Sequence, residues 1–166
     1  MPNTLENLKT AFAGESQANR KYLAYARKAE KEGFPKIAQL FRTAAEAETI
    51  HALAHFENMG SVRSTLENLK DAIAGETYEY TEMYPPMVVQ AKEENHKARV
   101  MLGWAEKVEQ VHAELYKQAL AALEQGNDLG EDVEFFLCPV CGHIEMGKPE
   151  GRCKVCGADA AKFSQL

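Results

Sequence analysis

Thr4-Leu5-Glu6-Asn7-Leu8-Lys9-Thr10-Ala11-Phe12-Ala13-Gly14-Glu15-Ser16 returns as Thr65-Leu66-Glu67-Asn68-Leu69-Lys70-Asp71-Ala72-Ile73-Ala74-Gly75-Glu76-Thr77, with ten of the thirteen positions identical. The offset is 61, and without a gap it also carries Glu48 onto Glu109 and His51 onto His112. A repeat of this kind is read before any local pattern, because it sets the architecture. The two halves read as a duplicated helical hairpin.

Each half opens on a capping-box pattern, Asn3-x-x-Glu6 and Ser64-x-x-Glu67, in which side chain and backbone close the first turn reciprocally. Stretches rich in Ala, Leu, Lys and Glu follow. Gly33-Phe34-Pro35, Met59-Gly60-Ser61 and a point near Asn95 interrupt them. These signals predict four helices over residues 4–31, 36–59, 65–93 and 96–125. Pro85-Pro86 removes two backbone donors and predicts a kink or break in the third. Gly126-Asn127-Asp128-Leu129-Gly130 stops the fourth. The expected organisation is a four-helix bundle over 1–126, an acidic linker over 127–136 and a small module over 137–166. About thirty residues cannot bury a core of their own, so the module is expected to need a metal.

On these helices the polar residues fall into a pattern. The first offers Glu15, the second Glu48 and His51, the third Glu76 and Glu79, the fourth Glu109 and His112. Residues three apart share a helix face, so each Glu-x-x-His pair points one way. One Glu from each of two helices plus Glu-x-x-His from each of the others is the ligand pattern of di-iron and di-manganese bundles. Five carboxylates come close to neutralising two iron ions, and without a cation they would repel. A single Glu-x-x-His is ordinarily a solvated face; two copies at the repeat offset, with Glu15 and Glu76 repeated as well, are not. Glu79 has Ala18 as its counterpart, so it is either an exposed Glu or an extra carboxylate that makes the two iron positions inequivalent. Gly14 and Gly75 suggest a close helix approach, or simple inheritance from the duplication.

Other side chains read as structural. His55 pairs with Tyr116 in the repeat and is expected beside the ligands or on the surface. His96 and His143 are expected in solvent. Tyr22, Tyr80, Tyr84 and Trp104 read as core side chains near the metals.

All four cysteines lie in the last 29 residues, as Cys138-Pro139-Val140-Cys141-Gly142 and Cys153-Lys154-Val155-Cys156-Gly157. Two such knuckles form a tetrahedral four-sulfur site that suits iron or zinc. Beside a di-iron site, a one-electron iron is the better reading. With no export-type N-terminus, a metal framework in a reducing cytoplasm is expected rather than disulfides. The formal net charge of −6 and the lack of a basic block argue against nucleic acid. No apolar run is long enough to span a membrane.

Together, Ala13-Gly14-Glu15-Ser16, Glu48-x-x-His51, Gly75-Glu76-x-x-Glu79 with Met83-Tyr84-Pro85, Glu109-x-x-His112 and the terminal cysteines resemble the rubrerythrin family over nearly the whole chain. The resemblance implies a ferritin-like bundle with a rubredoxin-like tail and reduction of hydrogen peroxide to water, protecting against oxidative stress. It implies that Glu15, Glu48, Glu76, Glu79, Glu109 and His112 ligate the irons when oxidised, and that His51 replaces Glu79 on one iron upon reduction. It also implies an electron-donating reductase or rubredoxin, and a homodimer with one subunit's cysteine module near the other's di-iron site. The spacing between the knuckles is shorter than in free rubredoxins. Rival functions are a ferroxidase or iron-storage protein, an oxygen-activating di-iron oxidase and a zinc-stabilised binding module.

Overall fold

A computed structural model describes residues 2–165. It forms two compact units, one ending at Arg63 and the other beginning at Ser64. The first is a helical hairpin of α1 (Thr4–Lys31) and α2 (Pro35–Asn58). Both capping boxes form: Asn3 accepts from the Glu6 N–H while Glu6 accepts from the Asn3 N–H, and Ser64 and Glu67 do the same in the second unit. Gly33 turns between the helices with φ of 84°, and Pro35 supplies the fixed φ of the first turn of α2. Small residues carry the contact between the two helices. Ala26, Ala29, Ala38, Ala45 and Ala52 are buried, and the aromatic pair Phe12 and Phe56 meets across the hairpin with ring centroids 4.9 Å apart. Buried Asn19 ties α1 to α2, its amide donating to the Ala45 carbonyl (2.6 Å) and the Thr49 hydroxyl (2.8 Å).

The second unit contains α3 (Thr65–Tyr78), a π-helical turn (Glu79–Met83), α4 (Tyr84–Glu93), α5 (Arg99–Glu124) and the cysteine module. The proline pair does not break the helix where a kink was expected. The helix instead widens into a π turn just before it, and Tyr84 donates its N–H to the Glu79 carbonyl five residues back. The prolines then open α4, where a missing N–H costs little. α5 starts three residues later than the sequence suggests, because Asn95 takes a left-handed φ of 49° and His96 Nδ1 accepts the Ala98 N–H. No close approach occurs at Gly14 or Gly75: a Cβ on either would meet nothing within 4 Å.

The module is a small antiparallel sheet in the order β2-β1-β3, from β1 (Phe135–Leu137), β2 (Ile144–Met146) and β3 (Ser164–Gln165). The expected boundary at residues 127–136 falls inside the second unit. The module packs on its own chain's α5, with Val108 and Trp104 against the buried cysteines. Trp104, Val108 and His112 stand four apart, a stripe along one face of α5. No described helix is long and apolar enough to cross a membrane.

Candidate metal centres

All the expected ligands except Glu79 gather as three clusters, one of four cysteines and one in each half of the repeat. In the first unit Glu15, Glu48 and His51 offer ligand atoms within 4.8 Å of one another, as do Glu76, Glu109 and His112 in the second. His51 Nδ1 lies 3.2 Å from Glu48 and 3.9 Å from Glu15. His112 Nδ1 lies 2.9 Å from Glu109 and 3.7 Å from Glu76. The duplication therefore repeats the geometry as well as the residues. The copies differ in exposure, since the His51 side chain is 56% exposed and that of His112 18%.

The chemistry of these donors calls for a cation. His112 Nε2 stands 3.1 Å from the Gly142 carbonyl. A carbonyl only accepts, so Nε2 carries the hydrogen, and in the neutral ring Nδ1 turns a lone pair toward two carboxylates. Lone pairs facing one another at 2.9 Å need a proton or a metal between them. The carboxylates carry the same signature. Hydrogen bonding to Glu48 raises the Glu15 carboxyl, and the same contact lowers that of Glu48. Burial, then the Glu109 charge, pushes Glu76 up to about 7. The same two causes raise Glu79, which stands outside the three-ligand cluster at the first residue of the π turn.

A pH dependence follows. The folded pKa of Glu76 lies above its ordinary 4.5. Its contribution to stability is therefore complete below that value and lost as pH rises through about 7. The metal-free protein is expected to melt at a lower temperature near pH 8 than near pH 5. Adding metal at the higher pH should restore the loss, and calorimetry with and without metal checks both statements.

Of the neighbours expected near the metals, Tyr84 is raised by burial and then by Glu109, Glu79 and Glu76, so it faces the carboxylates. Tyr22 joins an aromatic cluster with Tyr25 and Phe41. Trp104 packs on the cysteines. His55 lies near enough to Glu15 to interact with it electrostatically. His143 is not in solvent as expected. It is 4% exposed, edge-on to Phe163, because the sheet closes over it.

The four sulfurs all lie within 4.8 Å of one another. Cys138 and Cys156 are 3.7 Å apart, and Cys141 and Cys153 3.6 Å. Disulfide sulfurs are bonded at about 2.05 Å, whereas metal–sulfur bonds of ~2.3 Å in a tetrahedron place sulfurs ~3.8 Å apart. Gly142 and Gly157 adopt φ of 88° and 74°, the left-handed turn expected of each knuckle. Burial raises the Cys141 thiol. Burial works the same way on Cys153, but N–H groups of Cys156 and Val155 outweigh it and bring that thiol down to about 7, a thiolate ready for metal. The link from His112 to Gly142, the residue after Cys141, had no motif to announce it. The α5 stripe of Trp104, Val108 and His112 was its available signal.

Comparison with known proteins agrees with this geometry. The rubrerythrin family model matches residues 6–120. Nigerythrin from Nitratidesulfovibrio vulgaris is 38% identical, over 93% of this chain and 82% of its own. Rubrerythrin from Porphyromonas gingivalis is 34% identical, over 98% and 90%. A nigerythrin structure in its mixed-valence state aligns at 35% identity with a TM-score of 0.58, covering all of this chain and 88% of the other. The fold class is thus mainly α and ferritin-like, with a rubredoxin-like four-cysteine tail. The chain belongs to the rubrerythrin family of oxidative-stress oxidoreductases, whose cofactors are a di-iron carboxylate centre and a four-cysteine iron.

Proposed function

We propose that the protein is a peroxidase: it reduces hydrogen peroxide to two waters with two electrons and two protons, the electrons arriving singly through the four-cysteine iron. The observation that carries this reading is the contact between His112 and Gly142. It joins a proposed di-iron ligand to the knuckle of Cys141 by one hydrogen bond within one chain. A storage protein has no use for such a connection.

The proposed iron ligands are Glu15, Glu48, Glu76, Glu79, Glu109 and His112, with His51 in exchange for Glu79, and Cys138, Cys141, Cys153 and Cys156 for the single iron. When bound, the iron pair supplies two electrons together and Lewis acidity. The chain supplies the rest. Gly142 O holds the His112 tautomer, so Nδ1 faces the metal side. Glu76 and Glu79, both raised by burial and by the Glu109 charge, would give up their protons on ligating the metal. The exchange between Glu79 and His51 is supported by how loosely each is held: Glu79 lies outside its cluster and His51 is the most exposed of the clustered ligands. Carboxylate favours ferric iron and imidazole suits ferrous. The proposed setting is the cytoplasm, as a homodimer served by a reductase or a rubredoxin.

Glu79→Ala tests the special role. Alanine is a good helix former, so folding and metal content should hold, while peroxide turnover falls by about ten- to a hundredfold, as for other groups that tune a metal site. Anaerobic peroxide consumption by the iron-loaded protein measures it, and unchanged turnover would remove Glu79 from the mechanism. Peroxide consumption no faster than that of free iron in the wild type would remove the proposed function itself.

A further inference from the structure

The repeat offset is 61 up to Glu76 and again at Glu109 and His112, yet two features between them fall at 62. Tyr22 in α1 finds its like at Tyr84, not at Met83. α1 ends at Lys31, and the corresponding helix ends at Glu93, not at Lys92. Between Glu76 and these points lies the π turn Glu79–Met83. α1 has no such turn and runs as regular helix from Thr4 to Lys31.

The turn accounts for the extra residue. Tyr22 is seven positions after Glu15, about 20° from it around a regular helix at about 100° per residue. Tyr84 is eight after Glu76, which in a regular helix would set it about 80° away, off the ligand face. A π turn, closed by a bond from residue i to i+5, takes up one residue. Tyr84 then returns to within about 20° of Glu76. The prolines account for the turn. In a regular helix the rings of Pro85 and Pro86 would crowd the carbonyls of Thr81 and Glu82, and neither proline could donate to them. With the π turn closing at Tyr84, both lie in the first turn of α4.

We infer that Pro85 and Pro86 are positioning residues: they hold the π turn that rotates Tyr84 onto the carboxylate face, the place Tyr22 holds in the first half. The kinetic part of the test rests on the peroxidase reading; the structural part does not.

The double variant P85A/P86A tests this beside Y84F and the triple variant. A crystal structure of the iron-loaded P85A/P86A protein is expected to show regular helix through 79–84, with Tyr84 turned off the ligand face. In rapid mixing of reduced protein with peroxide, Y84F and P85A/P86A should each slow oxidation by about tenfold, the size of effect expected when one polar hydroxyl is taken away from a site. The triple variant should be no slower than either, because all remove one interaction. A π turn that persists without the prolines overturns the inference. So do losses that multiply in the triple variant. If the double variant fails to fold, P85A and P86A singly give the same reading of helix register. Should wild-type protein prove inert to peroxide, the peroxidase reading falls, and the helix register in the variant still decides the role of the prolines.

Discussion

Replacing Cys138 by alanine is expected to unfold the C-terminal module while the helices remain. Cys138 is wholly buried. Its sulfur is one corner of the tetrahedron, and its backbone N–H binds the His143 carbonyl at 2.8 Å. The other buried members of its cluster are Val108 and two further cysteines, so little apolar area holds the module without metal. Structural metal binding of this kind is worth about 10–16 kcal/mol, and a tetrahedron missing one thiolate forfeits much of it. Iron content should fall from three per chain to two, and amide exchange over residues 135–165 should become fast, with the helical circular dichroism nearly kept. Peroxide turnover driven by a protein reductase should disappear, while oxidation of chemically reduced protein by peroxide persists. Loss of both together would mean that the module supports the helices rather than feeding them electrons.

Glu109→Gln should have effects of opposite sign with and without metal. The Glu109 carboxylate lies 2.9 Å from His112 Nδ1, and its charge raises both Glu76 and Glu79. With metal, removing that charge takes away a ligand, and peroxide turnover should drop on the order of a thousandfold, the several kcal/mol that a bound metal supplies. Without metal, the same change relieves repulsion. The pKa of Glu76 should move back toward its ordinary value, and the metal-free variant should melt above the metal-free wild type near neutral pH. Calorimetry and stopped-flow kinetics on one preparation check both signs. A variant destabilised in both states would show that Glu109 is a structural residue.

Much of this was legible in the sequence because duplication writes a signal twice. Glu15 and Glu76, Glu48 and Glu109, His51 and His112 came as pairs, and the structure gathers each half's set into a cluster. Both capping boxes formed because their determinants are local. The cysteine knuckles were readable for the same reason. Other features depended on contacts between distant residues. The bond from His112 to Gly142 arises where the module meets α5, and the burial of His143 arises where the sheet closes over it beside Phe163; no local pattern encodes either. The proline pair was visible but its outcome was not. A helix can answer two prolines by breaking or by widening, and the structure shows it widening before them.

The most direct test of the account is to load the protein with iron, reduce it anaerobically and mix it rapidly with hydrogen peroxide, following the visible absorption of the ferric four-cysteine site, with a parallel run against dioxygen. Fast return of colour is expected with peroxide, much faster than with dioxygen, as electrons leave the cysteine iron for the di-iron centre. Slow return with peroxide, or equal rates with the two oxidants, would contradict it and point to a ferroxidase or an oxygen-activating oxidase.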